Sequence, residues 1–454
     1  MTSDDEALQS GKTTPEGTGV RSAPWLSSGT ADQLTEQIDA MFRDTAFVRE
    51  GHITIRGLGW EGQGPTIPPG ESGITALCLG VSGVVYGATS GERTHVFRFD
   101  PWADAAGPYA HVIDLGVTPG MTSCDLMLTL PGDGCVLVAG RPGGCFVHDP
   151  AWEVMNVLDF HSLPEPPFSP QVGEQLRPVP LRLGPGEALV AGVWSEAESV
   201  VYAVTHPDGV LMRFAPGRLE VERLAKVGMT AFGGPLAVDC LGRVYGPTER
   251  GGWFRFDPAS DGLEWMGKVP GERGRRSYDG LCSLVAANGG HLLYGGTIDG
   301  CVFAFHVDEG RVHSLGRPTM ASQVCGLVVL PDGRLVGVVG AEDEMAHLFV
   351  YEPLQGGLRD LGIMRTAYPK TWVVHRVGSA VAGPNGEVFL GENDRLGHLV
   401  IYHPALLPTN ATYGANRSAQ VREGSAVEAT AQGGDTEAWP DVSQCSESGH
   451  PSRS

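Results

Sequence analysis

The segment VVYGATSGERTHVFRFDP, residues 84–101, decides how this chain folds. It reads as two short apolar and aromatic strands joined by a charged turn and stopped by Asp-Pro. The pattern returns as VVYAVTHPDGVLMRFAP (200–216), RVYGPTERGGWFRFDP (243–258) and LLYGGTIDGCVFAFHVD (292–308). Weaker copies are CVLVAGRPGGCFVHDP (135–150), RLVGVVGAEDEMAHLFVYEP (334–353) and EVFLGENDRLGHLVIYHP (387–404). With Tyr86 as marker, the equivalent positions are Leu137, Tyr202, Tyr245, Tyr294, Val336 and Phe389.

Each copy sits inside a longer unit that first appears at residue 73. An apolar strand precedes the Val-Tyr-Gly-x-Thr strand, and a strand ending in Leu-Gly follows the aromatic one. Four strands per unit is the pattern of a propeller blade, and the copies predict an all-β, seven-bladed β-propeller of four-stranded antiparallel blades. The final copy stops at Pro404 without its fourth strand, whereas HisIleThrIleArgGlyLeuGly at 52–59 stands alone as a fourth strand with no blade. The N-terminal strand is therefore expected to complete the last blade, which removes two exposed sheet edges. A β-sandwich would explain alternating apolar residues, but not a strand missing at one terminus and present at the other.

Outside the repeat, residues 1–28 and 408–454 are polar, small and acidic, without apolar periodicity, and are expected to be disordered. Leu34, Ile38, Met41 and Phe42 fall on one helical face behind a capping Thr30, which predicts an amphipathic helix over 29–46. The propeller then spans 47–407.

Composition narrows the function. The 454 residues include 65 Gly and 33 Pro, too many for a helical core. The net charge is −21 and only four basic residues are Lys, so no polybasic footprint for nucleic acid exists. The nine cysteines form no CxxC pair and sit mostly in apolar runs, as buried thiols of a reduced protein do. The N-terminus is acidic and polar rather than signal-like, and no stretch is long enough to span a bilayer. The expectation is a soluble, cytoplasmic protein with no membrane partner.

Candidate chemistry gathers where second-to-third strand turns meet the loops that enter each blade. At the start of the third strand, four copies carry Gly (Gly144, Gly209, Gly252, Gly300) and three carry His: His95, His347 and His398. These three belong to the first and the last two copies, which become neighbours if the ring closes. Arg93 and Arg395 flank two of them in charged turns. The loop at 272–279 adds Arg273, Arg275, Arg276 and Tyr278, and the loop at 365–376 adds Tyr368, Lys370, Trp372, His375 and Arg376. By register, Asp279, Gln323, His375 and Arg376 top the innermost strands.

These residue types suit an acidic saccharide or another small anion: Arg forks pair with carboxylates, Trp372 offers a stacking surface, and His and Tyr move protons. The reaction would be β-elimination on a uronate, with His95 or His398 as base, Tyr368 protonating the leaving oxygen, and Arg376 neutralising the carboxylate. The competing structural reading is that each His caps its hairpin by bonding backbone or a turn carboxylate. Three further alternatives stand open: a non-catalytic ligand-binding propeller, a protein-binding one, and a metal-dependent small-molecule lyase with a divalent metal on His95, His347 and His398.

The segments YGATSGERTHVFRFDP and WVVHRVGSAVAGPNGEVFLGENDRLGHLVIYHP resemble those of seven-bladed propeller proteins that include polysaccharide lyases acting on uronic-acid polymers. Such a resemblance implies a His, with Tyr and a cationic neutraliser, on the funnel face, similar to where His95, His398, Tyr368 and Arg376 fall.

Overall fold

The structure, a computed structural model, describes residues 48–58, 67–101, 112–132, 134–150, 176–179, 181, 183–215, 221–228, 234–248, 251–271, 280–366 and 371–405. The expected helix at 29–46 and both expected tails lie outside these residues. A compact unit ends at Ala405.

Strands dominate, and they pair in sequence order as four-stranded antiparallel sheets. The first contains Gly73–Leu79, Val85–Ser90, Thr94–Phe99 and Val112–Thr118, and a single bridge from Ser90 to Ser123 links it to the second, which covers residues 123–178. Similar units follow over residues 188–226, 237–268, 281–316 and 324–363. The last unit takes Val377–Ala382, Val388–Glu392 and His398–His403 from the end of the described chain and His52–Gly57 from its start. His52 faces His403 and Gly57 faces His398 along that pairing. This architecture is consistent with a β-propeller.

The repeat motif has a steric meaning. Its Tyr is buried in four sheets (Tyr86, Tyr202, Tyr245, Tyr294). Its Gly lies opposite a third-strand Phe in the pairs Gly87–Phe97, Gly246–Phe254, Gly295–Phe303 and Gly337–Phe349. A Cβ at any of these glycines would overlap the Phe ring. The Thr closes the turn: Thr89, Thr205 and Thr297 hydroxyls accept the backbone N–H of His95, Val210 and Cys301. Bulges recur too in six of the first strands, between Ile74 and Ala76, Cys124 and Leu126, Leu189 and Ala191, Leu281 and Ser283, Val324 and Gly326, and Val377 and Ser379. Such bulges bend a strand and re-aim the residue inside the bulge.

The core lies between sheets. Each apolar cluster is shared by consecutive units, as where Tyr202 and Ala191 pack with Leu236, Val244 and Phe254. One cluster joins Val328, Val336 and Leu348 to Val388, Leu390 and the N-terminal Ile53 and Ile55. Another joins Ile74, Val85 and Phe97 of the first sheet to Phe389, Leu399 and Ile401 of the last. Burying both sheet faces accounts for the run of apolar residues in second and third strands. Among the described residues no helix is long and apolar enough to cross a membrane.

Candidate functional site at the junction of the first and last sheets

Loops that enter a first strand and turns that join second to third strands lie at the same strand ends. Where the first and last sheets meet, they are tied together by backbone. Gly70 donates its N–H to the Arg395 carbonyl at 2.8 Å, and within the last sheet Asn393 donates to the Arg376 carbonyl at 2.8 Å. The Ser72 hydroxyl donates to the same Arg395 carbonyl at 3.0 Å and accepts the Gly397 N–H at 3.0 Å. Gly397 lies so close to Ser72 that a side chain there would collide with its carbonyl.

This junction places Glu71 against His95. His95 is buried, with Nε2 2.9 Å from Glu71 Oε2 and Nδ1 2.8 Å from Asp114 Oδ2. A ring with a carboxylate at each nitrogen donates twice, as imidazolium. Burial opposes that charge, but the bonds to Asp114 and Glu71 outweigh it and hold the pKa above the ordinary imidazole value. Arg93 closes the chain, its Nε 3.1 Å from both Glu71 oxygens. The Arg93 bond is the main cause holding the Glu71 carboxyl below its usual range; burial works against it, and His95 adds to it.

His398 stands differently. Its Nδ1 is 2.6 Å from Glu392 Oε2, and Trp372 donates its indole N–H to both Glu392 oxygens at 2.9 Å. The Trp372 and His398 ring centroids are 4.3 Å apart. His398 and Glu392 are buried, while Trp372 is half-buried. His347 has Nδ1 3.3 Å from Asp360 Oδ1.

The other expected residues scatter in role. Arg376 and Gln323 immediately precede their first strands, as the register predicts. Arg376 Nη1 lies 3.1 Å from Glu342 Oε1. Gln323 works through its backbone, accepting from Gly340 and donating to Ile298, with φ 61°. His375 and Arg395 are exposed. Arg276, Tyr278, Tyr368 and Lys370 lie outside the described residues.

Two expectations change. Neither His95 nitrogen faces an open site in this arrangement, because both lie within hydrogen-bond distance of carboxylates, and Arg93 is paired with Glu71 in the same cluster. Nor do His95, His347 and His398 gather their nitrogens as metal ligands. Among the described residues the group with three converging ligand atoms is Cys240, His291 and Asp308.

Sequence reading missed Glu71, Asp114 and Asp360. A signal existed for two of them. Asp114-Leu115-Gly116 and Asp360-Leu361-Gly362 occupy the fourth strands of two His-bearing sheets, and each Asp also accepts its own Gly N–H, at 2.9 and 2.8 Å. His398 has the N-terminal strand beside it instead, without such an Asp, and turns to Glu392.

The fold and site define an all-β assembly of propeller-type sheets with an ion-paired histidine cluster. No family model matches the chain, and no curated protein matches it. The lyase resemblance gains no support from these comparisons. Similar solved structures include the extracellular domain of BT4673 from B. thetaiotaomicron, described in one case as a hybrid two component system and in another as a one component system. Both are 11% identical, with TM-scores of 0.51 and 0.50, covering 78% and 76% of this chain. The chain spans 40% and 39% of those chains. These extracellular neighbours overturn the cytoplasmic expectation, because an unremarkable N-terminal composition says little about where such a fold operates.

Proposed function

We propose that the sheets form a closed seven-bladed propeller and that the junction face is a non-catalytic binding surface for a saccharide. Pairing of His52–Gly57 with His398–His403, and the core cluster shared by the first and last sheets, support closure. The observation that carries the binding reading is His95, held at both nitrogens by Glu71 and Asp114 and so withdrawn from general-base work. Trp372 supplies a half-buried aromatic ring beside His398, with exposed His375 in the same entry loop and exposed Arg395 in the following turn of that sheet. Among the described residues, Arg93 and Arg376 already carry a carboxylate, which favours polar hydroxyl-rich ligands with few charges over densely anionic polymers.

Calorimetric titration with a galacturonate trisaccharide and a neutral cello-oligosaccharide tests this. Saturable binding without unsaturated product, weakened about tenfold in Trp372→Ala, is the expected result. No binding of either probe, or binding indifferent to Trp372, would overturn it.

A second reading keeps the β-eliminative lyase, now with His398 as base. It is favoured by the 2.6 Å bond from Glu392 to His398 Nδ1, which orients the ring as a carboxylate orients a catalytic imidazole. Release of unsaturated uronate from galacturonate polymer, abolished in His398→Ala and retained in His95→Gln, would establish it over simple binding.

A further inference from the structure

The strand ends opposite the histidine cluster carry a different constellation. Cys240 lies in the turn between Ala237–Val238 and Val244–Pro247, His291 just before Leu292–Thr297, and Asp308 just after Val302–His306. His291 Nδ1 is 3.5 Å from Cys240 Sγ and 3.0 Å from Asp308 Oδ2. All three ligand atoms lie within 4.8 Å of one another.

Two sheets are locked together to make this meeting. Cys240 donates its backbone N–H to the Gly290 carbonyl at 3.2 Å. Gly290 has φ 87°, and a Cβ there would run into the Cys240 nitrogen, so only glycine lets the 288–291 turn press onto the 239–241 turn. The Cys240 turn is itself fixed by buried Asp239, whose carboxylate accepts the N–H groups of Leu241 and Arg243, both at 2.9 Å, and the Tyr245 hydroxyl at 2.9 Å. A thiol, an imidazole and a carboxylate are thus held convergent by backbone rather than meeting by chance on flexible stems.

We propose that Cys240, His291 and Asp308 form a binding site for a divalent transition ion of the zinc class. One thiolate, one imidazole and one carboxylate are the mixed set that zinc accepts, and three protein ligands leave the fourth tetrahedral position to water. His291 and Asp308 are exposed, which opens the site to an ion from solvent. The site joins adjacent sheets at the strand ends away from His95, so it would brace the ring rather than serve the saccharide face.

Titration of the metal-stripped protein with cobalt(II) tests the assignment, because a cobalt-thiolate bond gives a charge-transfer band and tetrahedral coordination gives intense visible bands. The expected result is one equivalent bound with both signatures, no thiolate band in Cys240→Ala, and affinity at least about tenfold weaker in His291→Gln. Zinc should displace the cobalt and raise the thermal midpoint of wild type but not of Cys240→Ala. Circular dichroism of both variants confirms the fold. A spectrum without a thiolate band, or a band that survives Cys240→Ala, overturns the proposal.

Discussion

Glu71 and His95, 24 residues apart in the chain, are joined by a 2.9 Å bond that ties the loop entering the first sheet to that sheet's charged turn. Because Glu71 also holds Arg93 and follows Gly70, which donates to the last sheet, this bond sits where the two ends of the repeat meet.

The pH dependence of stability should carry its signature. His95 has a raised folded pKa, so its contribution is complete below the ordinary imidazole value and fades as pH rises through the raised one. Glu71 has a lowered pKa, so its contribution holds above the ordinary carboxylate value and fades as pH falls through the lowered one. His95→Gln should cost about 1–3 kcal/mol near neutrality, because buried Glu71 and partly buried Asp114 lose a charged donor. It should also flatten the alkaline decline of the thermal midpoint; an alkaline limb identical to wild type would show that His95 is not its source.

Acid should act where the N-terminal strand pairs within the last sheet. His403 stacks on His52 with centroids 4.6 Å apart, and burial, followed by the His52 and Arg56 charges, pushes its pKa down to about 4. A depressed imidazole keeps its stability contribution above the ordinary value and loses it as pH falls toward 4. Allowing for partial exposure, the loss should be on the order of 1–2 kcal/mol. Thermal melts of His403→Phe should be less acid-sensitive than wild type between pH values of roughly 6.5 and 4.

The Gly-Phe pairs should be intolerant of one methyl. Gly295→Ala places a Cβ inside the Phe303 ring and should destabilise by about 1–3 kcal/mol. In the background of Phe303→Leu the same change should cost clearly less, giving a favourable coupling in a double-mutant cycle by urea unfolding. Additive costs would mean that the ring is not what the glycine accommodates.

The N-terminal strand should behave as core. Ile55 is 2% exposed in the cluster that includes Val388 and Leu390, so Ile55→Ala should lower stability by about 2–4 kcal/mol. Val81→Ala, at a position 74% exposed, should stay within about 0.5 kcal/mol. Equal urea midpoints for the two variants would detach the 52–57 strand from the last sheet.

The four-strand unit, its turn positions and the orphan strand at 52–59 were legible because each is a local pattern: apolar alternation, Asp-Pro stops, and a glycine and threonine at fixed offsets from a tyrosine. The histidine positions were legible for the same reason. Their partners were not. Asp114 reaches His95 only through a fourth-strand register broken between Val96 and Phe97, and Glu71 only through loop contacts with the last sheet. Cys240 and His291 meet because Gly290 lets two turns touch, a contact between residues with no periodic relation. Periodicity determines which way a side chain faces, so the chain alone determined strands and repeat; whether a histidine is free, clamped or beside a thiol depends on carboxylates and turns brought from other strands, and only tertiary packing decided that.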